Sequence, residues 1–239
     1  STLSLMDTKN YTYPELTNEI NINCGGLATG TALYSDKVDF SKNTIVYEVK
    51  SKALYEKVPF VLGMMEEIMY NTRFDDYKRL KEIIARIKSR LEASLMGQGH
   101  SIAMLECCAQ FSESAYYSDI LRGYKYYEFI KKLDEEFEQN KTQIVDKLNK
   151  LVGYIFNKDN VIVSLTADDE GYDCFVKALS AKSCNIKDEH YNTAVRSFIP
   201  VNVKTGYTSA SQVQYVARCG NFVKDGYKYT GALKVLKVI

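Results

Sequence analysis

The sequence predicts an α+β fold, a sheet with a block of helices packed on one face, and three features carry that expectation. Two short strand-like runs lie near the N-terminus, Leu27–Tyr34 with loose alternation and Thr44–Val49 (T-I-V-Y-E-V) with β-branched and aromatic residues. A long block with apolar residues at helical spacing follows. The run Val161–Leu165 (V-I-V-S-L) then returns to strand character ahead of a closing helix. Strands, helices, a strand and a helix describe one layered unit.

Taken in order, Tyr13–Ile20 predicts a short helix, and Asn23-Cys24-Gly25-Gly26 a turn rich in residues that tolerate positive φ. The two strands form a hairpin across Ser35–Asn43. Val58–Tyr70 places Val58, Val61, Leu62, Met65, Ile68 and Met69 on one helical face. After the break Asn71-Thr72-Arg73, Asp75 caps a long helix whose stripe runs through Tyr77, Leu80, Ile83, Ile84, Ile87, Leu91 and Leu95. Gly97-Gln98-Gly99 stops that helix and a new one restarts. Ile102–Phe111 reads as helix, Ser112–Ser118 as a connection, and Tyr124–Leu133 and Lys141–Ile155 as further helices. Asn157–Asn160 forms a turn. Asp168-Asp169 occupy a helix N-cap ahead of an apolar face of Tyr172, Phe175, Val176 and Leu179.

From Ser183 the character changes: Ser183–Tyr207 is polar, irregular and interrupted by Pro200. Gln212–Ala217 reads as a strand, and a helix starts at Thr230. The expected organisation is therefore an α+β unit over residues 1–187, a linker over 188–210, and the truncated start of a following homologous domain over 211–239.

Composition narrows the function classes. Lys and Arg number 31 against 30 Asp and Glu, a net charge of +1, so no global field favours nucleic acid. The basic residues Lys78, Arg79, Lys81, Arg86, Lys88 and Arg90 share a helix with Glu82 and Glu92 and read as a solvated face. No stretch reaches the roughly 18 apolar residues of a membrane-spanning helix. Residues Ser1–Asn10 contain no secretory signal, and the abrupt start suggests an excised fragment. Six cysteines without a C-x-x-C read as reduced thiols of an intracellular protein, and with no signal visible the expected setting is the cytoplasm or an organelle matrix.

The candidate chemistry is sparse. Two histidines, His100 and His190, stand ninety residues apart, so neither H-x-x-E-H nor H-E-x-x-H can be drawn. His100, near Glu106, Cys107 and Cys108, reads as a helix cap or packed side chain rather than the base of a thiol nucleophile. His190 reads as a surface residue in the linker. Cys174 and Cys184 are ten apart, and the adjacent Cys107-Cys108 pair does not converge easily on one metal. Gly25-Gly26 and Gly97-x-Gly99 lack the context of a phosphate loop. Glu66-Glu67 and Asp134-Glu135-Glu136 read as solvated helix faces. Tyr116-Tyr117 and Tyr124–Tyr127 read as amphipathic core and rim, with a wet surface that grips peptides as the alternative. No catalytic, cofactor-binding or metal-ligating residue is assigned.

Several landmarks recur in a recognisable order. Y-x-E-L-x-x-E-I at Tyr13–Ile20 is followed by Gly25-Gly26 and by V-P-F-V-L-G-M-M-E-E-I-M-Y-N-T-R-F-D-D at Val58–Asp76. Gly99-His100-Ser101 and S-Q-V-Q-Y-V-A-R at Ser211–Arg218 come later. Together they resemble the C-terminal half of presequence-protease-like peptidases, in the pitrilysin/insulinase superfamily of inverted zincins. The resemblance implies a mitochondrial-processing-peptidase-like domain, the third of four, with the opening of the fourth. It implies a zinc-dependent parent that degrades oligopeptides, with zinc and a catalytic glutamate held by H-x-x-E-H in an N-terminal half. That half and unstructured peptide substrates are the implied partners, and this region would be one wall of a closing chamber. The family's R-x-x-G-G-A-Y stretch is also absent here, so no catalytic residue carries over. The alternative within the superfamily is a structural or assembly subunit, and a thiol enzyme using Cys107 or Cys108 with His100 stands as a third.

Overall fold

The computed structural model describes residues 3–39, 42–181, 198–208, 213–228 and 230–236. Helices dominate, and the strands among the described residues form one two-stranded antiparallel hairpin, a mixed arrangement compatible with α+β. In chain order the elements are α1 (Tyr13–Asn23), β1 (Leu27–Ser35), β2 (Asn43–Ser51), α2 (Val58–Tyr70) and α3 (Tyr77–Gly97). Then come α4 (Gly99–Ala109), α5 (Glu113–Arg122), α6 (Tyr124–Glu135), α7 (Phe137–Ile155), α8 (Asp169–Ala181) and the short α9 (Gly231–Leu236). The chain divides into two compact units. The first comprises Ser1–Tyr34, Thr44–Ser89 and Ile130–Val195, the second Ser35–Asn43, Arg90–Phe129 and Arg196–Ile239.

The first unit holds the hydrophobic core. Leu16 and Ile20 of α1, Val61, Met64 and Ile68 of α2, and Leu80, Ile83, Ile84 and Ile87 of α3 are buried, as are Phe74, Phe137 and Phe156. Removing these side chains from water is the main stabilising term here, at roughly 1.5–3 kcal/mol for each large one. Helix α1 starts in a capping box: the Glu15 carboxylate accepts the Thr12 N–H at 2.9 Å, with Pro14 in the first turn. Gly26, at φ 114°, turns the chain into β1, a conformation that a Cβ would strain. Residues 7–9 run beside 71–73, with a Thr8–Thr72 bridge and an Arg73 N–H donated to the Asp7 carbonyl at 2.9 Å.

One carboxylate sits in this apolar setting. Glu67, expected on a solvated face, is 6 % exposed. Its Oε1 accepts the Asn10 N–H at 3.0 Å, and its Oε2 accepts the side-chain amides of Asn10 at 2.8 Å and Asn71 at 2.6 Å. Burial alone would raise its pKa; the bonds from Thr8, Asn71 and Asn10 outweigh that and hold the carboxyl below the usual range. The basic face of α3 is also partly engaged. Arg79 stacks over the Tyr13 ring at 4.4 Å and donates to the Leu5 carbonyl at 3.1 Å. Lys88 pairs with Asp134 at 2.6 Å, so Asp134 is not simply solvated either.

Several expectations need correcting. Val161–Leu165 is not a strand: Ile162 is 88 % exposed, Val163 and Leu165 are also exposed, and no described strand pairs with it. High β-propensity forms a ladder only where a partner strand and a half-buried face exist. Val213–Ala217 is likewise not a strand, and Gln212 lies outside the described residues. Ser112–Ser118 is not a connection but the cap and first turns of α5. Helix α7 begins at Phe137, four residues before the expected Lys141, because Phe137 is buried. Asp76 rather than Asp75 caps α3, its carboxylate accepting the Arg79 N–H at 2.9 Å, while Asp75 pairs with Arg73. On α8 the inward positions are Gly171 and Ala178; Tyr172 and Val176 are exposed. There a tyrosine ring is the neighbour, since a Cβ on Gly171 would meet Tyr55 at 2.8 Å.

Candidate functional site

The second unit is built differently. Its buried residues among those described are mostly polar (Glu106, Ser118 and Asp119), with Ala109 the apolar member. Helices α4 and α5 pack closely on each other. Ser112 caps α5, its Oγ accepting the Ala115 N–H at 3.4 Å. Gly123 then separates α5 from α6, and a side chain there is sterically forbidden: a Cβ would lie 2.2 Å from Asp119 Oδ1 and 2.8 Å from Asp119 Cα.

That close approach lets the buried Asp119 organise the start of α6. Its Oδ1 accepts the Lys125 N–H at 3.3 Å and its Oδ2 meets the Lys125 ammonium at 2.7 Å. Glu106, from α4, lies 3.5 Å from the same ammonium without hydrogen-bond geometry at its Oε2. Two carboxyls thus share one cation. Burial, then the neighbouring Asp119, pushes the Glu106 carboxyl above its usual range. Burial works against the charged Lys125, but the bond to Asp119 and the acidic neighbours prevail and raise its pKa.

Beside this cluster opens a groove with a cavity of about 490 Å³. Ala109, Tyr116, Tyr117 and Ile120 form its helical wall, and Ile199, Val201 and Val203 form the other. The second wall is an extended segment, residues 198–207, laid along the helices. Its Val201 N–H donates to the Gln110 carbonyl at 2.8 Å, and its Val203 N–H to Gln110 Oε1 at 2.9 Å. Phe198 packs on Tyr116 with ring centroids 5.5 Å apart, and Tyr207 on Tyr124 at 3.9 Å. The tyrosine-rich stretch is therefore rim and groove wall. Tyr127 donates to Glu92 at 3.3 Å, and burial pushes up the Tyr126 and Tyr207 hydroxyls.

Among the described residues, no hydrogen bond joins His100 to Cys107 or Cys108. His100 is exposed, with its ring against Tyr215 at 5.9 Å. Cys107 donates to the Ala217 carbonyl and Cys219 to the Met104 carbonyl, each at 3.8 Å. Burial, then the thiols facing one another, pushes Cys107 and Cys219 upward, the reverse of an activated nucleophile. His190 and Cys184 lie outside the described residues. Gly25-Gly26 closes the end of the hairpin, with the Gly25 N–H donated to the Lys52 carbonyl at 2.8 Å. Gly99 admits the Tyr215 ring, which a Cβ would meet at 2.6 Å. Among the described residues, no group of three or more His, Cys, Asp or Glu side chains is placed to hold a metal ion. No helix among the described residues is long and apolar enough to cross a membrane.

Comparison with known proteins decides the relationship. A family model, that of the peptidase M-16C associated region, matches residues 1–133, more than half of the chain. The chain belongs to this family. The match spans the helix α1 landmark, the glycine pair, the α2 block and Gly99-His100-Ser101, the features on which the resemblance was drawn. Protein HypA of Clostridium perfringens is 33% identical over 237 residues, covering 97% of this chain and 24% of that protein. The mitochondrial presequence protease of Drosophila melanogaster is 30% identical over 159 residues, 66% of this chain and 15% of that protein. Presequence protease 1, chloroplastic/mitochondrial, of Arabidopsis thaliana is 23% identical over 235 residues, 97% of this chain and 21% of that protein. This peptidase-associated region therefore spans about a quarter or less of the length of these relatives.

Proposed function

We propose that the chain is a non-catalytic region, from the C-terminal half, of a zinc-dependent metalloendopeptidase that degrades oligopeptides, and that it forms one wall of a closing peptide chamber. The observation that carries this reading is membership of a peptidase-associated family in a sequence whose two histidines stand too far apart for an inverted-zincin motif. The zinc, the activated water and the glutamate base would be supplied by an N-terminal half of the same polypeptide. In this reading residues 1–187 are a third-domain-like α+β unit of the mitochondrial-processing-peptidase-like kind. Residues 188–210 are a linker, and 211–239 open the next homologous domain. The setting is the cytoplasm or an organelle matrix.

The contribution of such a wall is enclosure. It excludes water, holds an unstructured peptide near the chemistry and is too narrow for folded proteins. The groove of the second unit supports this role, since it offers aromatic faces and the carbonyl and side-chain oxygens of Gln110 to an extended chain. The test is complementation. The isolated N-terminal half is assayed on a quenched-fluorescent unstructured peptide with and without this chain. Gain of zinc-dependent hydrolysis on mixing is the expected result; no gain despite measured binding between the two parts would refute the chamber-wall role.

A further inference from the structure

We infer that the groove between α4, α5 and the start of α6 is a binding site for an extended peptide, and that residues 198–207 are a displaceable internal occupant of it. The inference rests on the peptide-handling reading above and adds the place, the ligand class and the competitor. Several independent features of residues 198–207 match how a bound peptide would sit.

The segment reads F-I-P-V-N-V-K-T-G-Y. Pro200 fixes its own φ and biases Ile199 toward extended backbone, so little conformational freedom is lost on docking. Val201 and Val203, two residues apart, direct their N–H groups to the same side, as an extended chain must. Both reach Gln110, the C-cap of α4, where a helix end presents a carbonyl without an intrahelical donor. Aromatic rings anchor both ends, Phe198 on Tyr116 and Tyr207 on Tyr124.

The fit is also poor in a way that favours exchange. Ile199 is 74 % exposed, Val201 54 % and Val203 55 %, so the segment rests lightly on its seat. A cavity of about 490 Å³ remains between these side chains and the helical wall. A peptide carrying larger apolar side chains at the two valine positions would keep the Gln110 bonds and fill that space. The ligand class is therefore an extended peptide with aromatic or large aliphatic residues at alternate positions.

The test uses fluorescein-labelled synthetic F-I-P-V-N-V-K-T-G-Y, and a version with phenylalanine in place of both valines, titrated by anisotropy against the 239-residue chain. The double variant Val201→Pro/Val203→Pro removes both N–H donors at exposed positions and should unseat the internal segment. Because an occupied groove lowers apparent affinity by the fraction open, this variant should bind the labelled peptide about tenfold tighter than the unaltered chain. The phenylalanine version should bind tighter still, and adding Tyr124→Ala should remove most of the gain. A second route, Phe198→Ala/Tyr207→Ala, unseats the segment without touching its backbone, and equal helical circular dichroism confirms that each variant is folded. Binding that is unchanged in both unseated variants, or insensitive to Tyr124→Ala, would overturn the inference. So would a concentration-dependent dimer formed by segment exchange without uptake of free peptide. Restored hydrolysis in the complementation assay would stand in any of these cases, so the two readings fail separately.

Discussion

Glu67 offers the sharpest stability prediction, because a buried carboxylate is stabilising only while its hydrogen bonds are intact. Glu67→Ala removes an acceptor of three donors, the Asn10 N–H and the side-chain amides of Asn10 and Asn71. Bonds to a charged group are worth about 1.5–3 kcal/mol each, but Asn10 is exposed and its donors can turn to water, which puts the expected loss at about 3 kcal/mol in total. Glu67→Gln keeps the shape and one acceptor, and the asparagine amides can rotate to meet its new N–H groups, so its cost should be about 1 kcal/mol. The pH dependence follows from the lowered pKa. The contribution is fully present above the carboxyl's unfolded value and is lost as pH falls through the folded one. Urea denaturation followed by circular dichroism should therefore show both deficits at about pH 7 and a shrinking gap to the unaltered chain in acid. A Glu67→Ala deficit under about 0.5 kcal/mol, the range of an ordinary surface change, would refute the reasoning, as would a deficit that ignores pH.

Two further predictions concern the second unit. Glu106 is perturbed in the opposite sense: with its folded pKa raised, it destabilises the fold as pH rises through the unfolded value toward the folded one. Glu106→Gln should thus raise the thermal midpoint at about pH 7–8 and leave it unchanged below about pH 4, where the carboxyl is protonated in both states. Gly123→Ala should cost about 2 kcal/mol or more, since its Cβ would meet the Asp119 backbone as well as its carboxylate. Thermal melting by circular dichroism measures it, and a neutral result would mean that the α5–α6 junction is not as tight as the geometry requires.

Much of the fold could be read from residue patterns where local chemistry and tertiary packing agree. The α3–α4 break at Gly97-Gln98-Gly99 was legible because glycine stops a helix for local reasons, and α2 because its stripe points into an apolar core. Helix α5 was not legible, since the residues it buries are Ser118 and Asp119 rather than a hydrophobic stripe. Val161–Leu165 misled in the other direction: a run of β-branched residues declares a strand, but its partner is not a local property. Glu67 looked solvated because its neighbour Glu66 and its charge said so, while the contact with Asn10 spans 57 residues and leaves no local signal.

The groove was half visible. Tyr116, Tyr117 and Tyr124 drew attention as a cluster, yet the Asp119–Lys125 pair beside them depends on Gly123 bringing two helices together. A glycine between two helical runs flanked by an acid and a base was the available clue. The segment 198–207 read as an irregular linker, and its strand-like V-x-V register gains meaning only once Gln110 is seen to face it.

The measurement that bears most directly on the central claim is hydrolysis of a quenched-fluorescent unstructured peptide by the purified 239-residue chain, with added zinc and with chelator. A region that serves the chemistry without performing it predicts no cleavage in either condition. Zinc-dependent, chelator-sensitive cleavage that persists after contaminant controls would contradict the account, and would return His100, His190 and the cysteines to consideration as ligands.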